Sequence, residues 1–286
     1  MTFSWNLIAD LQTMLSYGFM RNAFSAGTIV AILAGVVGYF VLLRRTSFAA
    51  HALSHIGFAG ATGAVVLGFN PVAGLMVFTL GAGTVMGLMG ERLRSRDTII
   101  GIVLAWALGL GVLFLSLYHG YATEAYSLLF GQILGISQTD VFVTFTASVI
   151  ALAGIFVLYR PLLVASTDED VAEARGVPIT LVSVLFMLIL ALAVSAATQV
   201  VGVLLIFSLI VTPAAIADRL TNRPPIAILL SIGFALAFTW LGLTVSFYLP
   251  YPVSFFITTF AFFTYIVVHL STRREWYAKL RTPHED

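Results

Sequence analysis

The chain has 286 residues, of which 60% are hydrophobic and only 9% charged, with a net charge of +1 and a mean hydropathy of +1.02. A soluble domain carries about 25% charged residues, so this composition excludes a water-soluble protein. No basic stretch is interleaved with aromatics, which leaves nucleic-acid binding without support. Cysteine is absent, which excludes disulfides and thiolate metal sites.

The pattern is that of a single all-α polytopic membrane domain over residues 1–286, with room for about nine spans (eight to ten) of roughly 20 residues each. Met1 to Arg21 lacks the basic start of a secretion signal, and Asp10 interrupts its apolar run. Apolar residues from Phe3 to Leu15 suit an amphipathic helix at the membrane surface or an apolar end without fixed structure. Spans are expected at about Phe24–Leu43, Phe48–Phe69, Val72–Met89 and Ile99–Tyr118. A segment from Glu124 to Ser137 is too short to span and reads as interfacial or re-entrant. Further spans follow at about Val141–Leu158, Ile179–Ala197, Val200–Ile216, Ile226–Leu249 and Val253–Leu270.

Between the fifth and sixth spans lies the longest polar stretch. Thr167 before Asp168-Glu169-Asp170 is a helix start, because a hydroxyl caps free N–H groups and acids suit the positive end of the helix. Gly176 and Pro178 form a stop. One short helix of about two turns, within residues 166–177, is expected in water.

Basic residues set the expected orientation. Arg44/Arg45, Arg92/Arg94/Arg96, Arg160/Arg175, Arg219/Arg223 and the C-terminal tail occupy every second connection, and the intervening connections carry no Arg or Lys. The N-terminus is therefore expected outside and the C-terminus in the cytoplasm. Glycines inside the spans, among them Gly57-Gly60-Gly63, Gly81-Gly83-Gly87 and Gly109-Gly111, are expected to let helices approach closely.

His51 and His55 stand out. Residues four apart share one helical face, and ionisable groups within a span usually mark function. Two imidazoles so placed suit a divalent cation. A zinc-protease His-Glu-x-x-His site is excluded, because Ala52 stands where the general base would be. The pair falls one to two turns from the inner end of its span. A mid-pathway position would require Thr46–Ala50 to be a non-helical approach. Glu124, Asp140 and His119 read as solvated residues near the outer face, Gln199 as part of a tight outer turn, and Asp218 as a partner for Arg219 or Arg223. The single lysine, Lys279, is not in a Gly-Lys-Ser/Thr sequence, so there is no Walker A loop and any ATP would be bound by another chain.

Four segments in order resemble the permease subunits of zinc and manganese ABC importers (ABC-3 type). They are Arg44-Arg45 followed by His51-Ala52-Leu53-Ser54-His55; Leu129-Phe130-Gly131 through Ser137 to Asp140; Asp170 and Glu173-Ala174-Arg175-Gly176-Val177-Pro178; and Thr212-Pro213-Ala214-Ala215-Ile216-Ala217. The resemblance covers about residues 20–270. It implies a type II-like importer fold in which two permease copies pair around a pathway. Two cytoplasmic ATPase subunits would dock on the short helix, and a periplasmic or surface metal-binding protein would deliver cargo at the bacterial cytoplasmic (inner) membrane. It implies a non-ATP-hydrolysing chain with no permanently bound cofactor, carrying Zn²⁺ or Mn²⁺ past His51 and His55. It also implies that Asp170, Glu173, Ala174, Arg175 and Gly176 couple to the ATPase. His51 stands where the family's segment usually has Asp. Imidazole suits zinc, and carboxylate suits manganese, so zinc is expected before manganese. The alternatives are a secondary metal-ion carrier or channel independent of ATP, or a structural subunit whose histidines only pack.

Overall fold

The structure is a computed structural model and describes residues 7–89, 93–117, 131 and 133–281. Its described residues form eleven α-helices and one 3₁₀ turn. The helices are α1 (Leu7–Ser16), α2 (Gly18–Leu43), α3 (Ser47–Val66), α4 (Pro71–Met89) and α5 (Leu93–Leu117). After the 3₁₀ turn Ile133–Gly135 come α6 (Gln138–Thr167), α7 (Glu169–Ala174), α8 (Ile179–Val201), α9 (Val203–Leu220), α10 (Pro224–Tyr248) and α11 (Val253–Arg281). His119, Glu124 and the segment expected from 124 lie outside the described residues up to Gly131.

Eight helices are long and apolar enough to cross a membrane: α2, α4, α5, α6, α8, α9, α10 and α11. The second expected span, α3, is not among them. Its two histidines, with its serines and threonine, dilute the apolar residues, and the surrounding helices enclose it. The all-α, multi-pass architecture is as expected.

The buried centre is α2, which packs against α6, α8, α9 and α10. Its end is a chain reversal built from hydrogen bonds. Thr46 N–H donates to Val41 O at 2.9 Å and Arg45 N–H to Leu42 O at 3.0 Å. This is a Schellman closure, which needs a left-handed residue after the cap. Arg45 supplies it at φ 53, where glycine is the usual occupant. The helix α3 starts at once, from Ser47, so Thr46–Ala50 is not the non-helical approach that a mid-pathway site would require.

Against α3 lie chiefly α4 and α5. Gly60 and Gly74 make the first contact possible. A Cβ on Gly60 would strike Gly74 O and the Phe78 side chain, and one on Gly74 would strike Gly60 O. Gly63 faces Phe114 of α5 in the same way. Gly81 and Gly109, by contrast, face no neighbour among the described residues, so small size at those two positions is not used for packing there.

The fifth span is longer than expected. It continues through Arg160 and Pro161 to Thr167, with Pro161 inside the helix. Its N-terminal end is capped by a reciprocal pair: Asp140 N–H donates to Ser137 Oγ at 3.2 Å, and Ser137 N–H donates to Asp140 Oδ2 at 3.2 Å. The turn expected at Thr198–Gln199 is displaced to Gly202, the single residue between α8 and α9. Gly202 has φ 84 and ψ 163, a conformation open essentially to glycine alone.

Candidate metal pathway and coupling helix

From Ala49 to Ala64, every residue of α3 is buried except His51 and His55. The small residues between them let neighbouring helices close over the rest of the surface. The two rings are edge-to-face with centroids 4.6 Å apart at 73°. The one-turn spacing read from the sequence is therefore realised as direct ring contact. His51 Nδ1 is buried with no hydrogen-bond partner. Ser54 Oγ donates to His51 O at 2.7 Å, which ties the backbone rather than the ring. Phe207 of α9 completes the surroundings, its centroid 5.0 Å from that of His51 at 71°. The sequence offered no signal for Phe207, which is 156 positions away on an apolar helix.

Among the described residues, no group of three or more His, Cys, Asp or Glu side chains could hold a metal ion. Among the described residues, one chain thus offers two imidazoles and no carboxylate beside them. Such a set can contact a cation without enclosing it.

The second expected site is present as a separate helix. Asp168 ends α6 and starts α7, and its Oδ1 accepts from Val171 N–H at 3.0 Å. The cap is therefore Asp168 and not Thr167, whose hydroxyl donates back to Leu163 O at 2.9 Å. A shift of one residue explains this: Thr167 is still inside α6, where a threonine hydroxyl reaches the carbonyl four residues back. The stop is as expected. Gly176 at φ 76 lets Val177 N–H reach Ala172 O at 3.0 Å and Gly176 N–H reach Glu173 O at 2.8 Å. Only Ala172 of α7 is buried, so Asp170, Glu173, Ala174, Arg175 and Gly176 all lie exposed on one short, well-capped element.

The start of α7 and the end of α2 line one cavity of about 590 Å³, bounded by Arg44, Arg45, Ser166, Thr167, Asp168 and Glu169. Arg44 is not the solvated loop charge that its sequence position suggests. It is buried, donates from Nη2 to Ser183 Oγ of α8 at 2.7 Å, and lies over the Phe186 ring at 5.4 Å. Asp140 is also not merely solvated, because Gln199 Nε2 donates to its Oδ1 at 2.9 Å. No ion pair joins Asp218 to Arg219 or Arg223 among the described residues. Arg219 instead donates to Tyr265 Oη at 3.3 Å and covers its ring.

The model of the ABC 3 transport family matches residues 16–272. The chain belongs to that family. It is 33% identical over 230 residues to the manganese transport system membrane protein MntC of Halalkalibacterium halodurans, covering 80% of this chain and 79% of that protein. It is 32% identical over 244 residues to the manganese import system permease protein ScaB of Streptococcus parasanguinis, covering 85% and 87%. Its fold matches a chain of the solved structure of PsaBC from Streptococcus pneumoniae in complex with Fab. That match has a TM-score of 0.84 at 29% identity and covers 96% of this chain and 100% of that one. The resemblance read from four short segments thus extends over the length of an ABC 3 transport family member, and the missing Walker A loop agrees with a permease-type chain.

Proposed function

We propose that this chain is the permease subunit of an ATP-driven importer of divalent metal ions, with zinc favoured over manganese, and that His51 and His55 are transient ligands along its pathway. The observation that carries this reading is the burial of α3: over sixteen residues, only the two histidines are left open. The names of the relatives point to manganese for those proteins. Here both donors are imidazole nitrogens, which suit zinc better than manganese. A two-nitrogen contact also suits cargo that must be released.

In this reading two copies of the chain pair so that each contributes its histidines to one pathway, and the cargo meets up to four imidazoles. ATP is hydrolysed by two separate cytoplasmic subunits, which dock on exposed α7. A periplasmic or surface protein delivers the metal. The chain lies in the bacterial inner membrane with its N-terminus outside and α7 and the C-terminus in the cytoplasm, as the alternation of arginines supports.

The test is reconstitution of the permease with its ATPase subunits in liposomes, with Zn²⁺ and Mn²⁺ uptake measured for the wild type, His51→Ala and His55→Ala. Uptake should need ATP and the second subunit, and both variants should lose most of it. Uptake by this chain alone, driven by a proton or metal gradient, would overturn the ATP-driven reading in favour of a secondary carrier. Unaltered uptake in both variants would assign the histidines to packing.

A further inference from the structure

The imidazole of His51 has no hydrogen bond to fix its orientation. A metal-ligating histidine is usually held by a bond from its second ring nitrogen, but His51 Nδ1 is buried without a partner. Contact with two rings is what constrains it: His55 on its own helix, and Phe207 on α9. Edge-to-face contact at these separations is favourable and directional.

The placement of Phe207 on α9 is informative. Between Val203 and Ala217, the residues of α9 that are not buried are Leu204, Phe207, Ser208, Val211, Thr212 and Ala215. They recur every three to four positions and so form one stripe along the helix. Phe207 is the aromatic member of that stripe, at the point where it meets the open histidines of α3. A large apolar side chain left half-buried on an otherwise closely packed helix is not needed to fill the core, because Ile206, Leu209 and Ile210 do so.

We infer that Phe207 is a positioning residue for the metal contact: its ring holds the His51 imidazole so that Nδ1 stays buried and Nε2 is the nitrogen left to meet the cation beside His55. This rests on the proposed role of the histidine pair. The consequence is that affinity for the metal depends on a residue that carries no donor atom. Removing the ring frees His51 to rotate, and the metal then selects one orientation from several.

The experiment uses the complete permease–ATPase complex in liposomes, with Zn²⁺-stimulated ATP hydrolysis measured over a range of metal concentrations for Phe207→Leu, Phe207→Tyr and His51→Ala. Loss of a hydrogen-bonded orienting partner typically weakens metal binding 10–100-fold; a ring contact orients less strongly, so Phe207→Leu should raise KM by up to about tenfold. Its kcat at saturating metal should stay within about twofold of wild type, the pattern of lost binding rather than lost turnover. Phe207→Tyr retains the ring and should keep the wild-type KM. Should Phe207→Leu fail to assemble, Phe207→Met preserves volume without a ring and takes its place. An unchanged KM in the ring-less variant, or equal impairment of Phe207→Tyr, overturns the inference. His51→Ala separates the two levels. If it raises KM while Phe207→Leu does not, only the role of Phe207 falls. If it leaves KM unchanged, the reading of the histidine pair falls with it.

Discussion

Gln199 and Asp140 meet across 59 positions of sequence, with the amide of one donating to the carboxylate of the other at 2.9 Å. The same carboxylate accepts from the Ser137 hydroxyl at 2.6 Å through its second oxygen. Asp140 thereby joins the N-terminal start of α6 to the C-terminal end of α8, next to the Gly202 break. Asp140→Ala removes both attachments and should lower stability by about 1–2 kcal/mol, from lost capping and a lost charge-assisted bond. Gln199→Ala leaves the cap in place and should cost less. Thermal unfolding in detergent, comparing the two variants with wild type, checks the order. Equal losses would mean that the bond to Gln199, and not the cap, carries the effect.

The contact between α3 and α4 depends on the absence of a side chain. Gly60→Ala places a methyl group against Gly74 O and Phe78, so α4 must shift away from α3. Overpacking of this kind costs about 1–3 kcal/mol. Gly233→Ala on α10 is the control, because a Cβ there meets nothing within 4 Å. It should leave the melting temperature unchanged or raise it. Gly60→Ala should also weaken metal-dependent uptake, because Gly60 lies only five positions beyond His55 on the same helix.

Arg45 holds a left-handed conformation that costs a side-chain-bearing residue about 1–2 kcal/mol. Arg45→Gly relieves that cost at the Schellman closure and should raise stability by about 1 kcal/mol. Arg45 also lines the cavity shared with the start of α7. If the strained arginine is retained for coupling, the more stable variant should hydrolyse ATP with less metal transported per ATP. Paired measurements of melting temperature and transport stoichiometry decide this. A variant both stabler and fully coupled would leave the arginine without a coupling role.

His51→Asp exchanges a borderline nitrogen for a hard anionic oxygen at the open face of α3. Carboxylate favours manganese over zinc relative to imidazole. The ratio of Mn²⁺ to Zn²⁺ transport efficiency should rise by about tenfold, corresponding to about 1.4 kcal/mol of relative preference. Competition uptake with both metals present measures it directly. An unchanged ratio would show that position 51 does not set selectivity.

The cap of α7 tests the proposed coupling role of that helix independently of the histidine pair. Asp168→Ala deprives Val171 N–H of its acceptor and should cost about 1 kcal/mol of local helix stability. Binding of the ATPase subunits, followed by co-purification, should weaken while the isolated permease retains its melting temperature. A lowered melting temperature with undiminished subunit binding would place the effect in the permease fold.

Much of this chain was legible as a sequence because of the membrane. In lipid every backbone group must be satisfied within the segment, so long apolar runs become helices whatever their neighbours do. That is why eight spans were read close to where they lie, while the α7 stop at Gly176 was legible from the left-handed conformation that glycine supplies at a helix end. Boundaries failed where a helix continued through a residue that usually ends one, as α6 does at Pro161, and where a break needed only one residue, as at Gly202. The one-turn spacing of His51 and His55 likewise followed from helix geometry alone.

Sequence periodicity could not show what surrounds that pair. Burial of every residue from Ala49 to Ala64 other than the histidines depends on α4 and α5 closing over α3 through contacts at Gly60, Gly74 and Gly63. Phe207 reaches His51 because α9 reverses at Gly202 and returns alongside, and Arg44 becomes buried because α8 presents Ser183 and Phe186 to it. Local patterns of hydrophobicity and capping act within a few turns and so are written in the chain itself. Which faces remain open is decided only when helices distant in sequence pack, because exposure is a property of the whole bundle.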